Sequence, residues 1–200
     1  MFNKNSSKKT KIRIISGKFG SQTIQVNHRI KSTTSRIVKS LFDILGSDII
    51  DRTFLDCFGG SGRIGIEAIS RGASMAIIIE KESELFITIS ENIKRIGGNT
   101  SVLRAEIYDF LANYDKFKAS NSVLPDKFDY IFIDPPYSDY ELYSKTISII
   151  MNQGLLSNDG TIIIEHNKHL KLEPSLNEHF NTTQRGYGTS ILTFLTLKDS

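Results

Sequence analysis

Apolar positions first become regular at residues 11–16 and 22–26, two short alternating runs around Gly17-Lys18-Phe19-Gly20-Ser21. This pattern predicts a hairpin with Lys18 and Phe19 near its tip. Ile37, Leu41, Phe42 and Leu45 then follow helical spacing, with Thr33 or Thr34 as the N-cap and Gly46 as the stop. From residue 53 the pattern alternates. Strands are expected at 53–58, 75–80, 100–104, 128–133 and 161–165, and helices at 64–70, 82–96, 108–114 and 141–151. Residues 118–127 read as a polar loop. Two closing strands, at 180–184 and 190–197, read as a hairpin turning through Gly186-Tyr187-Gly188. The alternation argues for an α/β fold with a parallel sheet covered by helices on both faces, joined by right-handed crossovers.

The most informative strand ends in Phe132-Ile133-Asp134-Pro135-Pro136-Tyr137. An apolar run of this kind suits a strand buried on both faces, and two prolines force the chain out of the sheet in a stiff corner. Ligands of open α/β sheets bind beyond the carboxyl ends of strands, where this corner falls. Asp134 and the Pro135 carbonyl form an acceptor pair for an NH2 group on a planar substrate, with Tyr137 as the stacking face. Taken alone, the same residues describe an ordinary proline turn.

The loop Asp56-Cys57-Phe58-Gly59-Gly60-Ser61-Gly62-Arg63-Ile64-Gly65 follows the first strand of the sheet and opens a helix. Gly60, Gly62 and Gly65 satisfy the G-x-G-x-x-G spacing, and Glu80 ends the next strand, suited to ribose hydroxyls. NAD enzymes and S-adenosylmethionine enzymes share this layout. Two details favour the methyl donor. Asp56 would repel a pyrophosphate but attract the amino group of a methionine moiety, and hydride transfer has no use for an amine acceptor such as Asp134.

Charge changes the picture further. Residues 1–42 hold ten Lys or Arg and no acid, whereas the remainder holds 15 basic against 22 acidic residues. Such segregation favours an anionic polymer as partner. No apolar run is long enough to span a bilayer, and the N-terminus lacks the apolar core of a secretory signal. A single cysteine, Cys57, points to a reducing compartment, with the cytoplasm as the expected location and a buried filler role for the thiol. His166 and His169 read as surface loop residues, since no further ligands complete a metal set. His28 and His179 carry no assignment, and Arg63 reads as an exposed helix-start residue.

Arg13-Ile14-Ile15-Ser16-Gly17, Thr33-Thr34-Ser35-Arg36, Leu41-Phe42, the 56–62 loop and Asp134-Pro135-Pro136-Tyr137 together resemble the RsmD family. These are bacterial methyltransferases acting on a guanine exocyclic amine of small-subunit ribosomal RNA. The resemblance runs from about residue 11 to 197. It implies a Rossmann-like class I methyltransferase fold, with a mostly parallel seven-stranded sheet, an antiparallel edge strand and a preceding N-terminal hairpin and helix. It divides the chain into a flexible basic tail (1–10), an RNA-binding extension (11–50) and a methyltransferase domain (51–200).

By the same resemblance Asp56, Phe58, Gly60, Ser61 and Gly62 hold the methionine part of S-adenosylmethionine. Glu80 and Lys81 lie at the ribose, and Glu106 faces the adenine amine. Arg13, Lys18, Phe19, Lys31, Thr33, Thr34 and Arg36 are expected to meet RNA. Asp134, Pro135, Pro136 and Tyr137 form the catalytic corner that receives a flipped base. Lys31-Ser32 replaces an Arg-Pro of the family, a departure that bears on the stiffness of this segment. The expected partner is ribosomal RNA in a small-subunit particle, met by a monomer without metal or membrane. Competing readings are a DNA adenine-N6 methyltransferase, a protein glutamine methyltransferase, a catalytically inactive RNA-binding assembly factor and an NAD dehydrogenase.

Overall fold

The computed structural model describes residues 9–30, 33–136, 140–172 and 176–198, with Tyr140 described by its backbone alone. Lys31, Tyr137 and most of the basic tail therefore lie outside the described residues. The N-terminal hairpin pairs β1 (Lys9–Arg13) with β2 (Thr23–Asn27). Its first strand starts two residues before the expected position. α1 (Ser35–Leu45) follows, capped by the Thr34 hydroxyl, which accepts from the Ile37 N–H, and stopped at Gly46, whose φ is 53°. A 3₁₀ turn (Gly46–Ile49) leads to the sheet.

Seven strands make that sheet: β3 (Thr53–Asp56), β4 (Met75–Glu80), β5 (Thr100–Arg104), β6 (Phe128–Ile133), β7 (Leu156–Asn167), β8 (Phe180–Tyr187) and β9 (Ser190–Leu197). Their order is β5-β4-β3-β6-β7-β9-β8. The first five run parallel, β9 runs against β7, and the β8–β9 hairpin closes the edge. The chain goes outward in one direction from β3 and in the other from β6. Neighbouring β3 and β6 thus flank the topological switch point, where a crevice opens at the carboxyl ends.

Helices α2 (Arg63–Ser70) and α3 (Ser83–Ile96) join α1 and the hairpin on one face, packing Ile14, Ile24, Leu41, Phe42, Ile69 and Ile89 over Phe54, Ile78, Phe132 and Ile163. On the other face, α4 (Ile107–Ala112), α5 (Tyr114–Ser120) and α6 (Tyr140–Asn152) cover Leu55, Ile77, Ile131 and Ile164. A one-turn helix, α7 (Leu176–His179), precedes β8. Side chains alternate along a strand, so each apolar run feeds both cores, which is why these strands read as continuous hydrophobic stretches. Two expectations change in detail. Part of the 118–127 loop belongs to α5, because Phe117 packs edge-on against Phe110 and anchors an extra turn. The last hairpin turns at Gly188 and Thr189, later than predicted, with Gly188 taking the positive φ of 67° that the turn requires.

One buried carboxylate fastens the N-terminal hairpin to this body. The Glu67 side chain, fully buried on α2, accepts from the Ile15 N–H (2.8 Å), the Ser16 N–H (3.1 Å) and Arg71 Nε (3.1 Å). Removing the carboxylate takes the shared acceptor away from three part-buried donors. Glu67→Ala is expected to lower the unfolding free energy by about 3 kcal/mol, read by urea denaturation.

Candidate active site

The cleft is built at the switch point. β4, β3, β6 and β7, adjacent in that order, present Glu80, Asp56, Asp134 and Glu165 toward their carboxyl ends: Glu80 and Asp56 are the last residues of β4 and β3, and Asp134 and Glu165 directly follow the paired residues Ile133 and Ile164. Period-two alternation puts all four acids on the face that carries Ile78, Phe54, Phe132 and Ile163. All four line one cavity of about 640 Å³, within the size range of ligand pockets. The pattern is present in the sequence as apolar runs each closed by an acid, a signal that motif reading passes over for Glu165.

The glycine loop forms the cleft's near wall. Gly60, at φ 51°, turns its N–H onto Glu80 Oε2 at 2.8 Å, while the Glu82 N–H meets Glu80 Oε1 at the same distance. Gly65 lets α2 lie against β4, since a Cβ there would stand 2.5 Å from Ile78. Asp56 is buried and accepts from the backbone N–H groups of Gly65 and Phe58. Burial pushes its carboxyl well above the ordinary aspartate range, against the pull of those two bonds. Burial raises Glu80 too, although backbone donors oppose it.

Phe58, Gly60, Ser61, Glu80 and Lys81 all line the cavity, but Gly62 does not; it starts α2 behind the loop. Ala105 and Ile107 line the cavity and Glu106 does not; its Oε2 caps α4 by accepting from the Tyr108 N–H at 2.7 Å.

Asp134, Pro135 and Pro136 line the same cavity. The Thr33 hydroxyl donates to Asp134 Oδ2 at 3.3 Å, so the N-terminal extension reaches the corner directly. Thr34 also lines the cleft, and Arg13 and Arg36 are exposed. Arg29, unremarked in the sequence, lines the cleft beside them. Lys18 and Phe19 are not part of this surface. The Lys18 N–H bonds to the Ser70 carbonyl and the Phe19 N–H to Ser70 Oγ, at the far end of α2, about 12 Å along the helix from the cleft. Phe19 is buried in the core, so its ring offers no stacking face; alternation around a glycine-rich tip does not distinguish an exposed aromatic from one folded inward.

Two further residues contradict the sequence reading. Arg63 is buried, because its guanidinium turns from the helix start to donate to the Thr33 carbonyl (3.0 Å), Ser35 Oγ (2.8 Å) and the Arg13 carbonyl (3.4 Å). His166 belongs to β7, not to a loop. It is buried with Nε2 2.8 Å from Thr193 Oγ1, its ring edge-on to Tyr143, and burial lowers its pKa. Both line the cleft. Among the described residues no His, Cys, Asp or Glu group has the arrangement of a metal site, and no helix is long and apolar enough to cross a membrane.

Six acids (Asp56, Glu80, Glu82, Glu84, Asp134 and Glu165) line the cavity against Arg29, Arg63 and Lys81, an acidic excess that disfavours a pyrophosphate and favours a ligand with positive charge and hydroxyl groups. The family described as "Conserved hypothetical protein 95" matches residues 12–196. The "Ribosomal RNA small subunit methyltransferase D" of Buchnera aphidicola subsp. Acyrthosiphon pisum is 36% identical over 164 residues, covering 80% of this chain and 81% of that one. The chain belongs to this methyltransferase family.

The family's fold extends to solved structures. A hypothetical protein of Thermus thermophilus superposes with a TM-score of 0.76 at 27% identity, over 93% of this chain and 99% of that one. A ribosomal protein L11 methylase from Lactobacillus delbrueckii subsp. bulgaricus shares the fold at a TM-score of 0.60 and 21% identity, over 78% and 77% of the two chains. The sheet is that of class I methyltransferases.

Arg63→Met is expected to free the strand-to-helix segment around Thr33, seen as faster amide exchange at residues 33–36 than in the wild type, with α3 amides unchanged. Glu80 yields a second test. Its folded-state pKa is raised, so the folded protein binds the extra proton above the ordinary value of 4.5, and this contribution to stability disappears as pH rises through the folded-state pKa. Unfolding free energies measured across that window should fall less steeply with pH in Glu80→Gln than in the wild type.

Proposed function

We propose that the protein methylates the exocyclic N2 amine of a guanine in small-subunit ribosomal RNA, with S-adenosylmethionine as donor. The observation that carries this reading is the Asp134-Pro135 corner opening into the same cleft as Asp56, Glu80 and the glycine loop. The residues present fit the donor. Asp56 and the Phe58–Ser61 turn would take its methionine end, Glu80 and Lys81 its ribose, and Leu85, Ala105 and Ile107 give an apolar slot for a flat ring. When bound, S-adenosylmethionine supplies an electrophilic methyl on sulfur, so that a carbon–nitrogen bond forms, the sulfur keeps the electron pair of its broken bond and the nitrogen releases a proton.

The protein's part is alignment. A guanine N2 lone pair is delocalised into the ring, and accepting its two protons at Asp134 and the Pro135 carbonyl favours a pyramidal nitrogen aimed across the cleft. Asp134 need not be a strong base, because alkylation makes the proton acidic. Thr33 Oγ1 donates to Asp134 Oδ2 and helps orient the carboxylate. Extruding the base costs a few kcal/mol of stacking, offset by contacts that Tyr137, Thr34 and a rim of the basic residues Arg13, Arg29, Lys31 and Arg36 would make. Such a rim neutralises phosphates without reading sequence.

The names of the relatives support a ribosomal RNA substrate, and the amine chemistry of the corner supports an exocyclic nitrogen. A reducing, cytoplasmic location and a monomer acting on an assembled particle complete the reading. Small subunits from cells lacking the gene, incubated with enzyme and tritiated S-adenosylmethionine, should yield labelled N2-methylguanosine. Asp134→Ala should reduce the rate about a hundredfold or more while retaining donor binding by calorimetry. Label found in protein, or as N6-methyladenine, would overturn the substrate assignment.

A further inference from the structure

The corner explains how an amine is held, but not why it should be guanine's. Adenine, cytosine and guanine all carry an exocyclic NH2, and an acceptor pair built from Asp134 and the Pro135 carbonyl suits each of them. Discrimination has to come from what touches the ring position next to the amine. In guanine that position is N1–H, a donor; in adenine and cytosine it is a ring nitrogen with a lone pair.

The sheet register supplies an acceptor there. Ile133 pairs with Ile164 in the parallel β6–β7 ladder, so the next residue on each strand is an acid, Asp134 on one and Glu165 on the other. Neighbouring strands lie about 4.8 Å apart, and the shared parity directs both side chains to one face. Both residues line the cleft, and Glu165 is half-buried. Its backbone is pinned, since the Tyr143 hydroxyl donates to the Glu165 carbonyl at 3.3 Å. Burial raises the pKa of that same hydroxyl, and the charges of Asp134 and Glu165 add to the effect. Asp134 Oδ2 already accepts from the Thr33 hydroxyl. Glu165 is therefore the neighbouring acceptor within the cleft, one strand further along.

We propose that Glu165 is the specificity-determining residue, accepting N1–H of the target guanine while Asp134 and the Pro135 carbonyl accept its N2 protons. The assignment rests on the guanine-amine reading above. Adjacent N–H groups on one heterocycle edge meet adjacent carboxylates, whereas adenine or cytosine would turn a lone pair toward the Glu165 charge and be rejected. A donor-rich edge suits the space between the two carboxylates, and an acceptor placed there is opposed.

The test uses the full-length enzyme on small subunits reconstituted from ligated ribosomal RNA, with guanine or 2,6-diaminopurine at the mapped target nucleotide. Both bases present the N2 amine, but diaminopurine has an acceptor at N1. Wild-type enzyme should prefer guanine by at least about tenfold in kcat/KM. Glu165→Gln, whose amide can donate to N1, should slow guanine methylation about tenfold to a hundredfold and raise the relative rate on diaminopurine, with the Kd for S-adenosylmethionine unchanged. Diaminopurine also differs from guanine at position 6, so the change in the ratio between the two enzymes isolates the N1 contact.

A guanine-to-diaminopurine ratio identical in wild type and Glu165→Gln would overturn the proposal, as would a wild-type ratio near one, which needs no variant to fold. If wild-type enzyme labels other nucleotides and leaves the target N2 amine of both bases unmodified, the guanine-amine reading itself falls and takes the assignment with it.

Discussion

Everything about this molecule turns on four carboxylates held at the carboxyl ends of four neighbouring strands, on one face of one sheet. Asp56 is almost wholly buried and Glu80 nearly so, and both are raised in pKa because burial disfavours their charge. A folded protein keeps such groups only where something compensates them. Here backbone N–H groups of the glycine loop do part of that work, which makes the acids organisers of the loop as well as its ligand-facing wall. The remainder is left for whatever enters the cleft, and a row of acids is complementary to positive charge and to donors. Sulfonium, ammonium, ribose hydroxyls and the N–H edge of guanine are all of that kind.

The second constraint is the coupling of the basic N-terminal extension to this row. The hairpin and α1 share a core with α2 and the sheet. Glu67 and Arg63, both on α2 and both buried, use their charges on the extension's backbone: Glu67 at Ile15 and Ser16, Arg63 at Arg13 and Thr33. Thr33 then carries the connection to Asp134. A segment suited to meeting phosphate is thereby tied to the carboxylate proposed to meet the amine.

Much of this is legible in the sequence because it depends on local rules. Continuous β-branched runs identify the parallel strands, Gly46 and Thr34 bound α1, and the glycine loop and the proline corner mark the two strand ends that flank the switch point. What is not legible depends on where elements pack. Phe19 resembles an exposed tip residue until α2 and Gly98 close over it. Arg63 resembles a solvated helix start until the extension folds across it. Glu106 follows its strand as a ligand residue would, and that one of its oxygens caps α4 depends on how the next helix starts. His166 is missed when the strand is ended at residue 165, and Glu165 when the strand ends are read separately, although the sheet order makes them neighbours.

The most direct test of the account is a crystal structure with S-adenosylhomocysteine, the product of the proposed reaction. The account predicts the ligand in the cleft between the glycine loop and the proline corner, its amino group toward Asp56, its ribose on Glu80 and its sulfur facing Asp134. A ligand bound on the opposite edge of the sheet, or with its sulfur turned away from Asp134, would contradict it.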